Sequence, residues 1–357
     1  MKLPPIHELK LRMLVEGIEI TKEARDELLR RWGDTDISLA DYATTNGIGL
    51  RLEDGVWVNA PVAENNPNFV GHSQHKLKYE NGRFVAVSDD ISSVAEPLPL
   101  PSFRKERNKW GEPYVYFVQS HADRVRVAPI VGCSFKCQFC DMPSKFQYRV
   151  KTLDRLLDAT KRAIADTQLP VTHALLSGGT PKVEDISHQH MVYESIINAF
   201  PDFDFEIMLS PLGGLLDVPL LRSFGAKGLA INLELYGEEA MRKYSPEKIS
   251  LGRDRFFDAI EKAVECFGNG NVRSLVLVGL EDLEETLKGV RALACRGCDP
   301  VLSAFRPALG TPLEYHAPPR LDFVREAYLR SQDIVAKYPG VEIGPRCVPC
   351  RHNSVAF

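Results

Sequence analysis

Apolar residues recur at helical spacing over residues 5–33, and this predicts one or two amphipathic helices with Leu9, Leu11, Leu14, Leu28 and Leu29 as core candidates. Thr21 suits the N-cap of the second helix, and Glu23 then places a negative charge in its first turn. The pattern then changes to short alternating stretches at 47–52, 55–59 and 83–88, punctuated by Asp54-Gly55 and Asn81-Gly82. These read as strands joined by tight turns. Residues 96–102 carry three prolines in seven positions and read as an extended linker.

Beyond residue 122 the pattern alternates strand and helix. Predicted strands cover 126–131, 172–177, 203–210, 228–234, 272–278, 300–306 and 341–344. Predicted helices lie near 152–167, 187–199, 216–224, 253–267, 282–295 and 319–337. Such alternation predicts an α/β fold with parallel strands and crossover helices. The expected architecture is a partial or complete parallel (β/α) TIM-like barrel of six or more strands, preceded by an α+β accessory domain. The division follows: 1–100 accessory domain, 101–121 linker, 122–345 barrel, 346–357 cysteine-containing tail.

Composition narrows the setting. With 44% hydrophobic and 26% charged residues, the 357-residue chain is ordinary for a globular protein with a large core. A net charge of −4 disfavours broad attraction to nucleic acid or an anionic membrane. The N-terminus is charged throughout and unlike a signal peptide, and no stretch is apolar enough to span a bilayer. A cytoplasmic location is expected, with the eight cysteines as thiols or metal ligands.

Three cysteines stand apart. Cys133, Cys137 and Cys140 follow a predicted strand in the loop VGCSFKCQFCDMP. Thiolates are soft ligands that hold iron–sulfur clusters. Three on one loop suit three irons of a cubane, leaving the fourth for a substrate or cofactor. A structural zinc site would need a fourth ligand, and none is near in sequence. Coincident core thiols rarely crowd three into eight residues.

Over about residues 122–345 the chain resembles the radical SAM superfamily, and Phe139 stands where that family carries an aromatic beside adenine. The resemblance implies a [4Fe–4S] cluster that chelates S-adenosylmethionine (SAM), and one-electron cleavage to a 5′-deoxyadenosyl radical. It implies an electron donor such as flavodoxin or ferredoxin. It also assigns further residues. Gly178 and Gly179 would contact the methionine amino group, with Thr180 where many members carry an acidic residue. Asn232-Leu233-Glu234 is similar to the biotin- and lipoate-synthase-like branch, where these side chains hold the ribose; Ser210 is a second candidate for that sugar. Arg242 is the candidate cation for the methionine carboxylate, with Lys243 and Lys248 as rivals, and Val278 is a candidate adenine contact. Phe305-Arg306-Pro307 resembles the sixth-strand ending of the same branch. An inward Arg306 would anchor an anionic substrate; a structural ion pair is the other reading.

Position separates the other cysteines. Cys266, Cys295 and Cys298 end helices and belong at the bottom of the barrel as ordinary thiols. Cys347 and Cys350 follow the last predicted strand and are expected on the active face. They could ligate an auxiliary iron–sulfur cluster or another metal, with His352 helping, contact substrate, or lie inert. The spacing of His72 and His75 is metal-like only on a helix, and their neighbours suggest a loop.

The function expected is a radical SAM enzyme modifying a small molecule, by sulfur insertion or another modification. One alternative transfers a 3-amino-3-carboxypropyl group to an acceptor held by the C-terminal thiols. Alternatives of other classes are an iron–sulfur carrier, which needs neither the Gly-Gly nor the Asn-Leu-Glu segment, and a zinc-stabilised module.

Overall fold

The computed structural model describes residues 3–33, 39–40, 46–71 and 73–357. His72 lies outside them. Two sheets organise the chain. The N-terminal part begins with helices α1 (Pro5–Glu16) and α2 (Lys22–Trp32). Thr21 caps α2 by accepting a bond from the Ala24 N–H at 3.4 Å, and Gly33 closes it at φ 64°. Leu9, Leu11, Leu14 and Leu28 are fully buried, as their spacing predicts.

The helices pack on a seven-stranded sheet: β1 (Glu19–Ile20), β2 (Leu39–Ala40), β3 (Asn46–Leu52), β4 (Trp57–Pro61), β5 (Lys76–Glu80), β6 (Arg83–Ser88) and β7 (Ile91–Pro97). The order is β1-β5-β6-β7-β3-β2, with β4 also paired to β3. Both expected turns form, with positive φ at Asp54, Gly55, Asn81 and Gly82. Two consecutive left-handed residues match the twist of the flanking strands, which is why Asn-Gly and Asp-Gly occupy hairpin turns. Strand β7 is not among the predicted strands, and only its last two residues, Glu96 and Pro97, fall in the stretch read as a linker. Its inward residues are Ser93, Ala95 and Pro97, too small to print a hydrophobic alternation.

The second sheet contains β8 (Val118–His121), β9 (Arg124–Val127), β12 (His173–Leu176), β13 (Asp204–Met208), β14 (Gly228–Ala230), β15 (Val272–Val278) and β16 (Asp299–Ala304). A two-stranded clip, β10 (Ile130–Val131) with β11 (Arg149–Val150), lies off it. Strands β9-β12-β13-β14-β15-β16 are parallel and consecutive, and β8 adds antiparallel to β9. The sheet is a partial barrel, open between β8 and β16. Helices α3 (Asp141–Lys145), α4 (Leu153–Ile164), α5 (Ile186–Ala199), α6 (Val218–Ser223), α7 (Glu238–Tyr244), α8 (Pro246–Leu251), α9 (Arg253–Phe267), α10 (Leu283–Ala294) and α11 (Leu321–Val335) fill the connections. The apolar stripes of α4, α9 and α10 pack against the sheet, since parallel strands must be buried on both sides.

The expected strand at 341–344 does not form. The Glu342 N–H donates to Asp299 Oδ1 (2.9 Å) and the Gly344 N–H to the Pro300 carbonyl (2.8 Å). This segment therefore crosses the start of β16 instead of extending the sheet. The tail then turns inward, with the Val355 N–H on the Leu302 carbonyl at 2.8 Å. Buried Lys10 on α1 donates to the Arg351 and Ala356 carbonyls at 2.9 and 2.5 Å, tying the N-terminal part to the tail. Among the described residues, no helix is long and apolar enough to cross a membrane.

Candidate active site

Strand β9 ends at Val127, and the clip of β10 and β11 holds the base of the cysteine loop above it. Gly132 turns the chain at φ 74°; a Cβ there would sit 2.8 Å from the Tyr148 Cα. Only glycine fits such a left-handed, crowded position. The loop is fastened from two sides. The Ser134 N–H donates to the Thr180 carbonyl (2.9 Å), and the Gln138 N–H to the Tyr244 carbonyl at the end of α7 (2.8 Å).

The Gly178-Gly179-Thr180 segment, leaving β12, lies directly against this loop. A Cβ on Gly179 would come within 2.0 Å of the Gly132 carbonyl oxygen and 2.7 Å of the Cys133 Cα. Cys133 Sγ accepts two backbone N–H bonds, from Thr180 (3.1 Å) and Phe135 (3.3 Å). Burial pushes all three thiols up, Cys137 to about 12 and Cys140 well above its ordinary range. Thiolates here are costly unless a positive partner receives them, and bound metal supplies one. Soft donors, aimed N–H groups and a close-fitting glycine suit an iron–sulfur cluster.

A cleft of about 650 Å³ opens beside the loop. Its lining includes all three cysteines, Phe139, Gly178, Gly179, Thr180, Ser210, Asn232 and Glu234. Thr180 Oγ1 and Ser210 Oγ are 3.3 Å apart. Asn232 Oδ1 accepts the Leu275 N–H at 3.1 Å, joining β15. Its amide N–H reaches only the Met208 thioether, 3.4 Å away, a weak acceptor that a ligand oxygen would outcompete. Glu234 occupies the left-handed region at φ 70°, uncommon for a residue without a local cap and costing about 1–3 kcal/mol. Sheet bonds hold it there: its N–H donates to the Leu275 carbonyl (2.8 Å), and its carbonyl accepts from the Leu277 N–H (2.7 Å).

Lys248, not Arg242, is the basic side chain that lines this cleft. Its Nζ lies 2.8 Å from Glu234 Oε2 and donates to the Asn232 carbonyl at 2.7 Å. Burial alone would lower Lys248; Glu234, with the Cys137 and Cys133 thiols, outweighs it and raises it above its ordinary range. Arg242 instead pairs with Glu238 on an exposed helix face, at 2.5 Å. The chain breaks direction at Ser245 (φ −145°) between α7 and α8, which sends residue 248 inward and 242 outward. Met142, Tyr193, Met208, Leu209 and Leu215 also line the cleft. Their apolar character reads as ordinary core in sequence.

Several expected positions lie elsewhere. Val278 is fully buried inside β15, where its carbonyl accepts the Phe305 N–H at 2.8 Å. Arg306 is buried between the Asn59 carbonyl of β4 and the Asn353 side chain of the tail, each 3.3 Å away. It joins the N-terminal sheet, the barrel and the tail. Cys295 is exposed while Cys298 is fully buried, so the two do not form a half-site. Cys347 and Cys350 are at the opposite end from the cleft. Cys350 Sγ is 3.3 Å from His173 Nε2 at the start of β12, and Cys347 Sγ is 3.3 Å from Asp123 just before β9. The expectation that they sit on the active face depended on a strand at 341–344; without it, the tail stays at the N-terminal ends of the strands.

Residues 127–293 match the sequence model of the Radical SAM superfamily. A curated relative, bacteriochlorophyllide c C-7(1)-hydroxylase of Chlorobaculum limnaeum, is 25% identical over 186 residues, covering 51% of this chain and 42% of the relative. Among solved structures, the [FeFe]-hydrogenase maturase HydG of Carboxydothermus hydrogenoformans aligns with a TM-score of 0.49 at 18% identity, over 61% of this chain and 52% of that one. A radical SAM methyltransferase of Sphaerobacter thermophilus aligns with a TM-score of 0.47 at 15% identity, over 78% of each chain. The chain spans less than half the length of the curated relative it matches.

Proposed function

The chain carries a radical SAM superfamily enzyme domain over residues 127–293, and from this premise we propose that it generates a 5′-deoxyadenosyl radical to functionalise a C–H bond of a small organic molecule. The superfamily implies a [4Fe–4S] cluster and SAM, which when bound supply reductive cleavage of a C–S bond. Cys133, Cys137 and Cys140 would hold the cluster. The observation that carries the reading is the seating of Gly179 flush against Cys133, with the Thr180 N–H on its sulfur, at the edge of the cleft.

The remaining roles follow from that placement. Gly178 and Gly179 line the cleft and would present backbone to SAM, while the missing side chain of Gly179 lets the segment seat against the cysteine loop. The Asn232 amide and the Thr180 and Ser210 hydroxyls offer donors for the sugar and amino-acid portions. Lys248, kept charged by Glu234, offers a cation for a carboxylate. Phe135, Phe139, Met142 and Met208 make the rest of the wall apolar, which excludes water from a reactive carbon radical.

The biotin- and lipoate-synthase-like branch is supported by the Asn232-Leu233-Glu234 segment and by the resemblance at Phe305-Arg306-Pro307. Sulfur insertion and aminocarboxypropyl transfer were favoured partly by thiols expected beside the cleft, and Cys347 and Cys350 are at the other end of the strands. The name of the curated relative describes hydroxylation of a small organic molecule, which supports the substrate class proposed. Anaerobic reconstitution tests the cluster assignment. The expected result is about four irons per chain with broad absorption near 400 nm, lost in Cys137→Ala; iron content unchanged in that variant contradicts it.

A further inference from the structure

We propose that Asp123, His173, Cys347 and Cys350 bind one zinc ion at the N-terminal ends of the barrel strands, closing the open side of the half-barrel with the C-terminal tail. One ligand atom from each lies within 4.8 Å of the other three. Cys350 Sγ is 3.3 Å from His173 Nε2 and 3.8 Å from Asp123 Oδ1, and Cys347 Sγ is 3.3 Å from the same carboxylate oxygen. Four ligands around tetrahedral zinc, with bonds of about 2.0–2.3 Å, stand roughly 3.3–3.8 Å apart. The observed spacings already approach that range.

Separate elements supply the two halves of the site. Asp123 and His173 belong to the starts of adjacent parallel strands, where the Thr172 N–H donates to the Asp123 carbonyl (2.7 Å) and His173 pairs in register with Arg124. Thr172 Oγ1 lies 3.1 Å from both His173 Nδ1 and Asp123 Oδ2, holding the imidazole with Nε2 toward the cysteines. Such outer partners orient metal-binding histidines. The tail supplies Cys347 and Cys350 at a two-residue spacing, and the Cys350 N–H points at Cys347 Sγ, 3.3 Å away. The segment is held on both sides, by Arg346 on Asp299 (2.9 Å) before it and Val355 on Leu302 after it.

The donor set selects the ion. Two thiolates exclude calcium and magnesium, which take oxygen ligands, while two sulfurs with one nitrogen and one oxygen suit zinc. Four protein ligands leave no open position, so the site is structural. The close grouping fits one ion rather than a cluster, whose ligands sit on different irons. Two thiolates and a carboxylate leave one net negative charge around a divalent ion, and Arg124 lines the adjoining cavity together with the pairs Arg273–Glu206 and Arg346–Asp299.

The inference is independent of the cysteine loop at the other end, and metal analysis separates the two. In full-length protein with Cys133, Cys137 and Cys140 all replaced by Ala, we expect about one zinc per chain and negligible iron. In Cys350→Ser we expect zinc to be lost and loop-bound iron to remain. Should Cys350→Ser not fold, cobalt titration of the triple variant, first stripped of zinc by a chelator under reducing conditions, reads the same site. Thiolate-to-cobalt charge transfer saturating at about one equivalent supports it. Zinc absent from the triple variant, iron in its place, or no charge-transfer band on adding cobalt overturns the proposal.

Discussion

Lys248 and Glu234 form an ion pair, 2.8 Å apart, on the wall of the cleft that holds the three-cysteine loop. The two side chains are 5% and 15% exposed, so removing one partner strands the other in a poorly solvated place. Breaking such pairs costs roughly 3–5 kcal/mol. Lys248→Met should lower the unfolding free energy from denaturant titration by this amount and weaken SAM binding at least tenfold by equilibrium dialysis. Arg242→Met, on the exposed face, should change neither beyond about 0.5 kcal/mol.

Gly179 offers a sharper test, because the contact it permits is with the cysteine loop's backbone. A methyl group there needs space now held by the Gly132 carbonyl and Cys133 Cα, at 2.0 and 2.7 Å. Gly179→Ala should lose more than half of the reconstituted iron while far-ultraviolet circular dichroism stays native. Gly71→Ala, at an open position, should bind iron as the wild type does.

Arg306 separates a structural from a substrate-binding role. Its bonds run to Asn59 and Asn353, across three parts of the chain. Arg306→Gln should destabilise the fold by about 1.5–3 kcal/mol, the worth of hydrogen bonds to a charged group. SAM affinity, measured by equilibrium dialysis, should be unchanged. Unchanged stability with weakened substrate binding would restore the role of substrate anchor.

Lys10 gives the stability a pH dependence. Burial lowers it to about 7, and nearby Arg351 adds to the effect. In the unfolded chain this lysine keeps its proton to about pH 10.4. Between pH 7 and 10 the unfolded state therefore binds more protons, and stability from this group rises with pH. Urea midpoints should rise over that window in wild type, and the rise should be smaller in Lys10→Met.

The sequence was most legible where chemistry is local. The cysteine loop, the Gly-Gly segment and the Asp54-Gly55 and Asn81-Gly82 turns depend on neighbours within a few residues. The six parallel strands and the helices α4, α5, α6, α9, α10 and α11 were equally legible, through their periodicity. Long-range partners were not. Nothing around Val341 and Ile343 in the sequence shows that Asp299 and Pro300 take up the Glu342 and Gly344 N–H groups. A strand at 341–344 would put Cys347 and Cys350 at the other end of the barrel from where the tail holds them. Likewise, the change of direction at Ser245 chose Lys248 over Arg242, and side-chain type alone cannot distinguish two basic residues on consecutive helices.

The most direct test of the central claim is the nucleoside formed from SAM. Reconstituted protein, reduced anaerobically and incubated with SAM, should release 5′-deoxyadenosine by mass spectrometry, and Cys137→Ala should release none. Methylthioadenosine as the main product, or no cleavage by a preparation that carries its iron, would contradict the account.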